Sequence, residues 1–346
     1  MREFIYPEKV KAGDRIAILS PSKGIPGVFP DVFERGLQRL RDLFGLVPVE
    51  YPTTRDMKAS NEDKARDLHQ AFKDISISCI FCSIGGEDEL QLLRLLDPSI
   101  VRNNPKRFLG FSDNTNIHIF MWNLGIVTYY GGSILVQLAR EPSVHPFTRE
   151  SLSLAMFSHG KYQVDAAAEF TDEDKDWGNP SAPIPTMYSN SGWKWVNNRK
   201  QVIEGITWGG NLAVMLEHLA TNKHILANEE YRDMILYLET DEGLQSDVYV
   251  YRMLMCMGER GLLRMFSALL MGRPKAWSLE CPNDAAAKKL FVEKQENAVT
   301  KAVQHYHPGM LVILNMDFGH TDPHLVIPNG GQIYINGGNE TIYMTY

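Results

Sequence analysis

Cysteine is scarce: four residues in a chain of 346, too few for a disulfide framework to hold the fold together. Long apolar runs are missing as well, since no segment reaches the roughly 18 uninterrupted apolar residues of a membrane span. The opening "MREFIYPEKVKAGDR" lacks the apolar core of a signal peptide. There is no block of basic residues, and the net charge is −7, so the chain has no electrostatic attraction for nucleic acid or an anionic membrane. Neither a P-loop nor a G-x-G-x-x-G pattern is present to suggest a nucleotide cofactor, and no internal repeat appears. These absences leave a cytoplasmic protein with no nucleic-acid or membrane partner as the expectation.

The cysteines deserve one further step, because "CIFC" imitates a redox pair. Cys79 and Cys82 lie inside the strand-like run "ISCIFCSI", where residues three apart point to opposite faces. A redox pair needs both sulfurs at a helix N-terminus. Two buried thiols are the expectation.

What is present is alternation. "RIAILS", "VPVEY", "CIFCSI" and "RFLGF" read as strands, separated by helical patterns in "DVFERGLQRLRDLFG", "NEDKARDLHQAFKD" and "EDELQLLRLLD", with another helix from Asn114. Strands separated by helices predict a parallel α/β sheet, with ligands at the carboxyl ends of its strands. At this length about two domains are expected. We place the first at 1–165 and a second α/β domain at 202–346. Between them, 166–201 is rich in Asp, Pro, Ser and Asn yet carries Trp177, Trp193 and Trp195. A pure linker has little use for three tryptophans, so a loop covering a substrate is the reading. The C-terminal "HLVIPNGGQIYINGGNETIYMTY" alternates around glycine turns as hairpins do.

Strand exits carry the candidate chemistry. In "FLGFSDNTNIH", Ser112 follows a strand and precedes a helix, as a nucleophile in a tight elbow does, although the second glycine of G-x-S-x-G is absent. Ser112 or Asp113 can equally be a helix cap. Glu239 leaves the strand of "ILYLETDEG", with Asp241 and Glu242 as rival acids, and His320 leaves the strand of "VILNMDFGHTDP" before Pro323. The Gly85-Gly86 turn frees backbone N–H groups that, with that of Asp113, can face an oxyanion. Gly209-Gly210 opens another helix, next to Asn211, and either lines the same cleft or makes a turn. The pair His305 and His307 has no acid or cysteine close by and reads as a helix end rather than a metal site.

Taken together, "GDRIAILSPS", "IGGEDELQLLRLLD", "FLGFSDNTNIH", "WGGNLAVMLEHLAT", "LYLETDEG" and "FGHTDP" resemble the serine peptidase family of L,D-carboxypeptidases that includes the murein-recycling enzymes and the microcin C immunity enzymes. The resemblance implies a flavodoxin-like N-terminal domain and a C-terminal α/β domain with a barrel-like sheet, usually in a homodimer. It makes Ser112 the nucleophile, His320 the base and Glu239 the acid that orients it, with no metal or organic cofactor. "IGGEDE" and the tryptophan-bearing loop look more like the microcin branch, whose loop tryptophan stacks on the nucleotide; Trp177 is the first choice and Trp193 or Trp195 the reserve. Gly85, Gly210 and Asn211 complete the expected binding residues. The expected substrate is a peptidyl or aminoacyl nucleotide. The alternatives are removal of D-alanine from a murein tetrapeptide and, in another class, a non-catalytic binder of a small ligand.

Overall fold

The computed structural model describes residues 3–346. Sixteen strands follow in chain order: β1 (Arg15–Leu19), β2 (Val47–Glu50), β3 (Ile77–Cys82), β4 (Arg107–Gly110), β5 (Thr128–Tyr130), β6 (Lys161–Val164), β7 (Glu169–Phe170), β8 (Tyr188–Ser189), β9 (Lys194–Val196), β10 (Val202–Asn211), β11 (Met234–Glu239), β12 (Phe266–Gly272), β13 (Leu311–Met316), β14 (Ile327–Asn329), β15 (Gln332–Asn336) and β16 (Thr341–Thr345).

The first sheet has the order β14-β5-β4-β3-β1-β2. Its parallel part, 2-1-3-4-5, is the flavodoxin-like order, in which ligands collect where the strand order reverses. The helices expected over α-type patterns are present at Pro30–Phe44, Asn61–Lys73 and Thr115–Asn123. "EDELQLLRLLD" departs from expectation: it forms two single 3-10 turns, Glu89–Gln91 and Leu93–Leu95. Glu89, Leu92, Leu93 and Leu96 are all buried there, a spacing that suits tight turns pressed into the core as well as one helical face.

The second sheet runs β6-β16-β15-β10-β11-β12-β13-β9. Its long strand β10 pairs antiparallel with β15 through Val202–Ile206 and parallel with β11 through Thr207–Asn211. Two strands cross between sheets: β14, late in the chain, joins the first sheet beside β5, and β6, from before residue 165, joins the second beside β16. An apolar core fills the space between the sheets, taking Ile16, Ile18, Phe81 and Leu109 from one and Ile235, Leu270 and Ile313 from the other. Cys79 and Cys82 are buried on opposite faces of β3, and burial pushes the Cys79 thiol up to about 12. No helix among the described residues is long and apolar enough to cross a membrane.

Segment 166–201 forms a strap that contains the short strands β7, β8 and β9 and is tied by ion pairs to residues before and after it in the chain. Lys175 pairs with Glu141 at 2.6 Å, Lys275 with Asp174 at 2.9 Å, and Lys288 with Asp172 and Glu173 at 2.8 Å each. Trp195 pairs with Ile313 where β9 edges the second sheet.

Candidate active site

Ser112 is where the chain leaves β4. Its φ of +63° is a left-handed conformation that costs a non-glycine residue of order 1 kcal/mol. Such a backbone lifts the side chain out of the turn. The capping alternative fails, because neither the 3-10 turn Ser112–Asn114 nor the helix after it has a side-chain cap. Instead the turn is held by Tyr130, whose hydroxyl accepts from Ser112 N at 3.0 Å, and by Thr115, whose hydroxyl donates to Ser112 O at 2.6 Å.

Across the gap, His320 Nε2 stands 3.1 Å from Ser112 Oγ, and His320 Nδ1 stands 2.7 Å from Glu239 Oε2. The Glu239 side chain is fully buried, an expensive place for a carboxylate unless its oxygens are bonded. They are: Oε1 accepts from Tyr130 Oη at 2.7 Å and from Asn211 Nδ2 at 3.1 Å. A side chain in place of Gly319 would bring Cβ to 2.8 Å from Glu239 Cβ, so glycine is needed for the His320 loop to pass this close. Tyr130 therefore ties the Ser112 turn to Glu239. The sequence reading missed it; its only signal was a tyrosine at the end of a strand parallel to β4.

The rival acids are resolved by position. Glu242 Oε2 sits 3.0 Å from the other ring nitrogen, Nε2, with its side chain 63% exposed. Asp241 accepts from Gly243 N at 2.9 Å and from the Gln245 amide. Burial works against a charged His320, but the Glu239 and Glu242 carboxylates outweigh it and hold the imidazole well above its ordinary value. The His320 charge in turn pulls Glu242 down to about 2.

Gly85 and Gly86 lie against the same turn. A Cβ on Gly85 would stand 2.9 Å from Ser112 Cβ and 3.2 Å from Asp113 N, and one on Gly86 would collide with Ser22 Oγ. The N–H groups of Gly86 and Asp113 are not used in the backbone bonds that tie the surrounding turns together. The Asp113 carboxylate is turned inward, accepting from Ser22 Oγ, from Glu89 N at 3.1 Å and from Asn116 Nδ2 at 2.9 Å.

Ser112, Asp113, His320, Gly85 and Gly86 line a cleft of about 730 Å³ that also includes Asn211 and Trp177. Trp177 meets Phe29 edge to face at 5.4 Å. Of the other expected contacts, Gly85 and Asn211 line the cleft and Trp193 and Gly210 do not. Trp193 spends its indole N–H on Asp317 at 2.8 Å and packs against the core between the sheets. Gly210, at φ +148°, faces Thr115 where any Cβ would clash. Asn211 has both ends of its amide engaged, Oδ1 capping the next helix at Ala213 N and Val214 N and Nδ2 on Glu239.

The chain matches the model of the LD-carboxypeptidase N-terminal domain over residues 16–131 and that of the C-terminal domain over 204–335. It is 24% identical to the microcin C7 self-immunity protein MccF of Escherichia coli over 341 residues, covering 96% of this chain and 93% of that protein. Among solved structures, an MccF-like protein from Bacillus anthracis superposes with a TM-score of 0.84 at 22% identity, covering 99% and 100% of the two chains. MccF in complex with aspartyl sulfamoyl adenosine gives 0.85 at 21%, covering 99% and 98%. With both domain models matched in order along a chain whose two sheets converge on one cleft, the protein belongs to the LD-carboxypeptidase family of peptidases.

Proposed function

We propose that the protein is a cytoplasmic serine carboxypeptidase that cleaves the amide joining an aminoacyl or peptidyl group to a modified nucleotide. The observation that carries this is the line of contacts from Ser112 Oγ to His320 Nε2 at 3.1 Å and from His320 Nδ1 to Glu239 at 2.7 Å, with Ser112 held on a strained backbone. A serine hydroxyl is a weak nucleophile until a base takes its proton. In the neutral tautomer, with the proton on Nδ1 and directed at Glu239, Nε2 has the free lone pair that this step needs. As Oγ bonds to the carbonyl carbon, its proton passes to Nε2, and Glu239 stabilises the imidazolium without taking the proton. The oxyanion lies between the N–H groups of Gly86 and Asp113, each contributing about 3 kcal/mol to the transition state. His320 gives the proton to the leaving nitrogen, the C–N bond breaks, and an acyl-Ser112 ester remains. Water, deprotonated by His320, releases the acid and restores the hydroxyl.

The nucleotide half of the reading is supported by Trp177, which hangs from the strap over the cleft and offers a π-face beside Phe29. The MccF structure carries an aminoacyl sulfamoyl adenosine, the same chemical class. A murein peptide ends in a carboxylate, and among the described residues each Lys and Arg lining this cleft is already paired with an acid. Four free cysteines agree with a reducing compartment.

The test is to incubate the protein with an aminoacyl sulfamoyl adenosine and, separately, with a murein tetrapeptide. The reading expects release of the amino acid from the first and its loss on Ser112→Ala. Turnover of the tetrapeptide alone would replace the nucleotide substrate, and full activity of the alanine variant would remove the mechanism.

A further inference from the structure

The cleft is lined by five cations and twice as many acids, and the pairing between them is uneven. Lys23 is held by Glu87, Arg35 and Lys175 by Glu141, Arg140 by Asp322, and Lys275 by Asp174. Among the described residues this leaves Asp113, Asp176, Glu217, Asp241 and Glu242 with no Lys or Arg partner. Asp113 is bonded inward to Ser22 and Asn116, and Asp176 accepts from Gly178 N at 2.8 Å. Glu217, by contrast, shares a helix with the cleft-lining Ala213 and Val214, and Asp241 lies 3.5 Å from Asn211 Nδ2. Glu217 and Asp241 both act on the Tyr249 phenol, which is pushed up by burial and then by their two charges. Glu242 reaches within 3.0 Å of His320 Nε2, so the acidic side begins at the reacting atoms.

A second, separate observation points the same way. Gln137, also lining the cleft, is 2% exposed, and its Oε1 has no hydrogen-bond partner. A buried acceptor without a donor is costly. Both the unpaired charge and the unsatisfied oxygen ask for a ligand rich in N–H donors and positively charged.

Resting on the reading given above, we infer that the residue whose carbonyl Ser112 attacks carries a cationic side chain, of lysyl or arginyl type, received by Glu217, Asp241 and Glu242. The aromatic side of the cleft, Trp177 against Phe29, suits the planar leaving group, and the acidic side is left for the acyl residue. The α-ammonium of an aminoacyl group accounts for one positive charge. Three acids call for more than one. A cation there also satisfies Glu242, which must withdraw from His320 Nε2 before that nitrogen can accept the serine proton.

The experiment uses lysyl, norleucyl and glutamyl sulfamoyl adenosine, which share the α-ammonium and the nucleoside and differ in side-chain charge. Hydrolysis is measured with the wild-type protein, and binding by calorimetry with Ser112→Ala, which leaves the ligand intact. The lysyl compound is expected to exceed the norleucyl by about tenfold and the glutamyl by about a hundredfold in both assays, a scale set by one or two partly screened charge contacts. In Glu217→Gln combined with Asp241→Asn the lysyl-to-norleucyl ratio should fall toward one. Equal use of the three compounds, or preference for the glutamyl one, overturns this inference while leaving the hydrolase standing. Neither cleavage nor binding of any of the three overturns the hydrolase reading and this inference with it.

Discussion

Ser112 leaves the first sheet on a strained turn with its hydroxyl bonded to His320 alone among the described residues, whereas Glu239 leaves the second inside a closed set of hydrogen bonds from His320, Tyr130 and Asn211. One region stores a small conformational cost to present a hydroxyl. The other pays none of that cost and spends its hydrogen bonds on keeping a buried charge fixed. The contrast assigns different failures to the two sides: changes at the serine should remove chemistry with little effect on folding, and changes around Glu239 should affect both.

The largest effect is expected at Ser112 and His320, the proposed nucleophile and base. Ser112→Ala and His320→Ala should each lower kcat by about 10⁴-fold or more, the scale seen when a member of a triad is removed. Ser112→Ala should leave thermal unfolding nearly unchanged, since Ser112 Oγ makes no bond that holds the turn. A lowered melting temperature for that variant would break the contrast.

Glu239→Gln should lower kcat by about 10²- to 10⁴-fold, because the amide cannot hold the imidazole tautomer and stabilise its charge as the carboxylate does. It should also destabilise the fold by about 1–3 kcal/mol, since the set of bonds around it is buried and loses its charged acceptor. Chemical denaturation of the variant measures the second part. Normal stability with lost activity would mean that the buried carboxylate is held less tightly than its contacts indicate.

How much of this could be read from residues alone follows from the range of the forces involved. Ser112, Glu239 and His320 each followed a local signal, an apolar run ending at a polar residue, and they are 112, 239 and 320 in a chain whose parallel strands bring such exits to one edge. What the sequence hid is whatever depends on pairing between distant segments. Tyr130 looked like any strand tyrosine until β5 lay beside β4. The crossing of β14 and β6 between sheets has no local signature, because an edge strand of three or four residues reads the same in either sheet. Gly210 looked available to a ligand because a glycine pair before a helix usually leaves N–H groups free. Here the glycines lie inside β10, packed on Tyr237 and Thr115, and Asn211 is the cap of that helix. For the same reason Glu239, Asp241 and Glu242 could not be ranked before their side chains were placed.

Two of the three tryptophans in the strap, Trp177 and Trp193, sharpen the comparison between cleft and core. Trp177→Ala should raise KM for an aminoacyl nucleotide by about tenfold with little change in stability, on the scale of one lost base–aromatic stack. Trp193→Ala should instead cost about 3 kcal/mol of stability, through lost packing and an unpaired Asp317 oxygen, and change KM little. The reverse pattern would move the nucleotide to the other indole.

The smallest effect distinguishes the buried acid from the exposed one. His320 must be neutral at Nε2 to accept a proton, and Glu239 and Glu242 together hold its imidazole well above the ordinary value, so kcat/KM should rise with pH through that raised value. The same shift stabilises the fold fully below the unfolded value near 6.5, and this stabilisation is lost as pH rises past the folded value. Glu242→Gln removes one of the two charges, so the acidic limb should move to lower pH. Added salt should move it the same way in the wild-type protein, because Glu242 is exposed and screened while Glu239 is sealed from solvent. In Glu242→Gln the salt dependence should disappear and a raised limb should remain, set by Glu239 alone. A limb that still shifts with salt in that variant would mean that the charge sensed at Nε2 comes from a carboxylate other than Glu242.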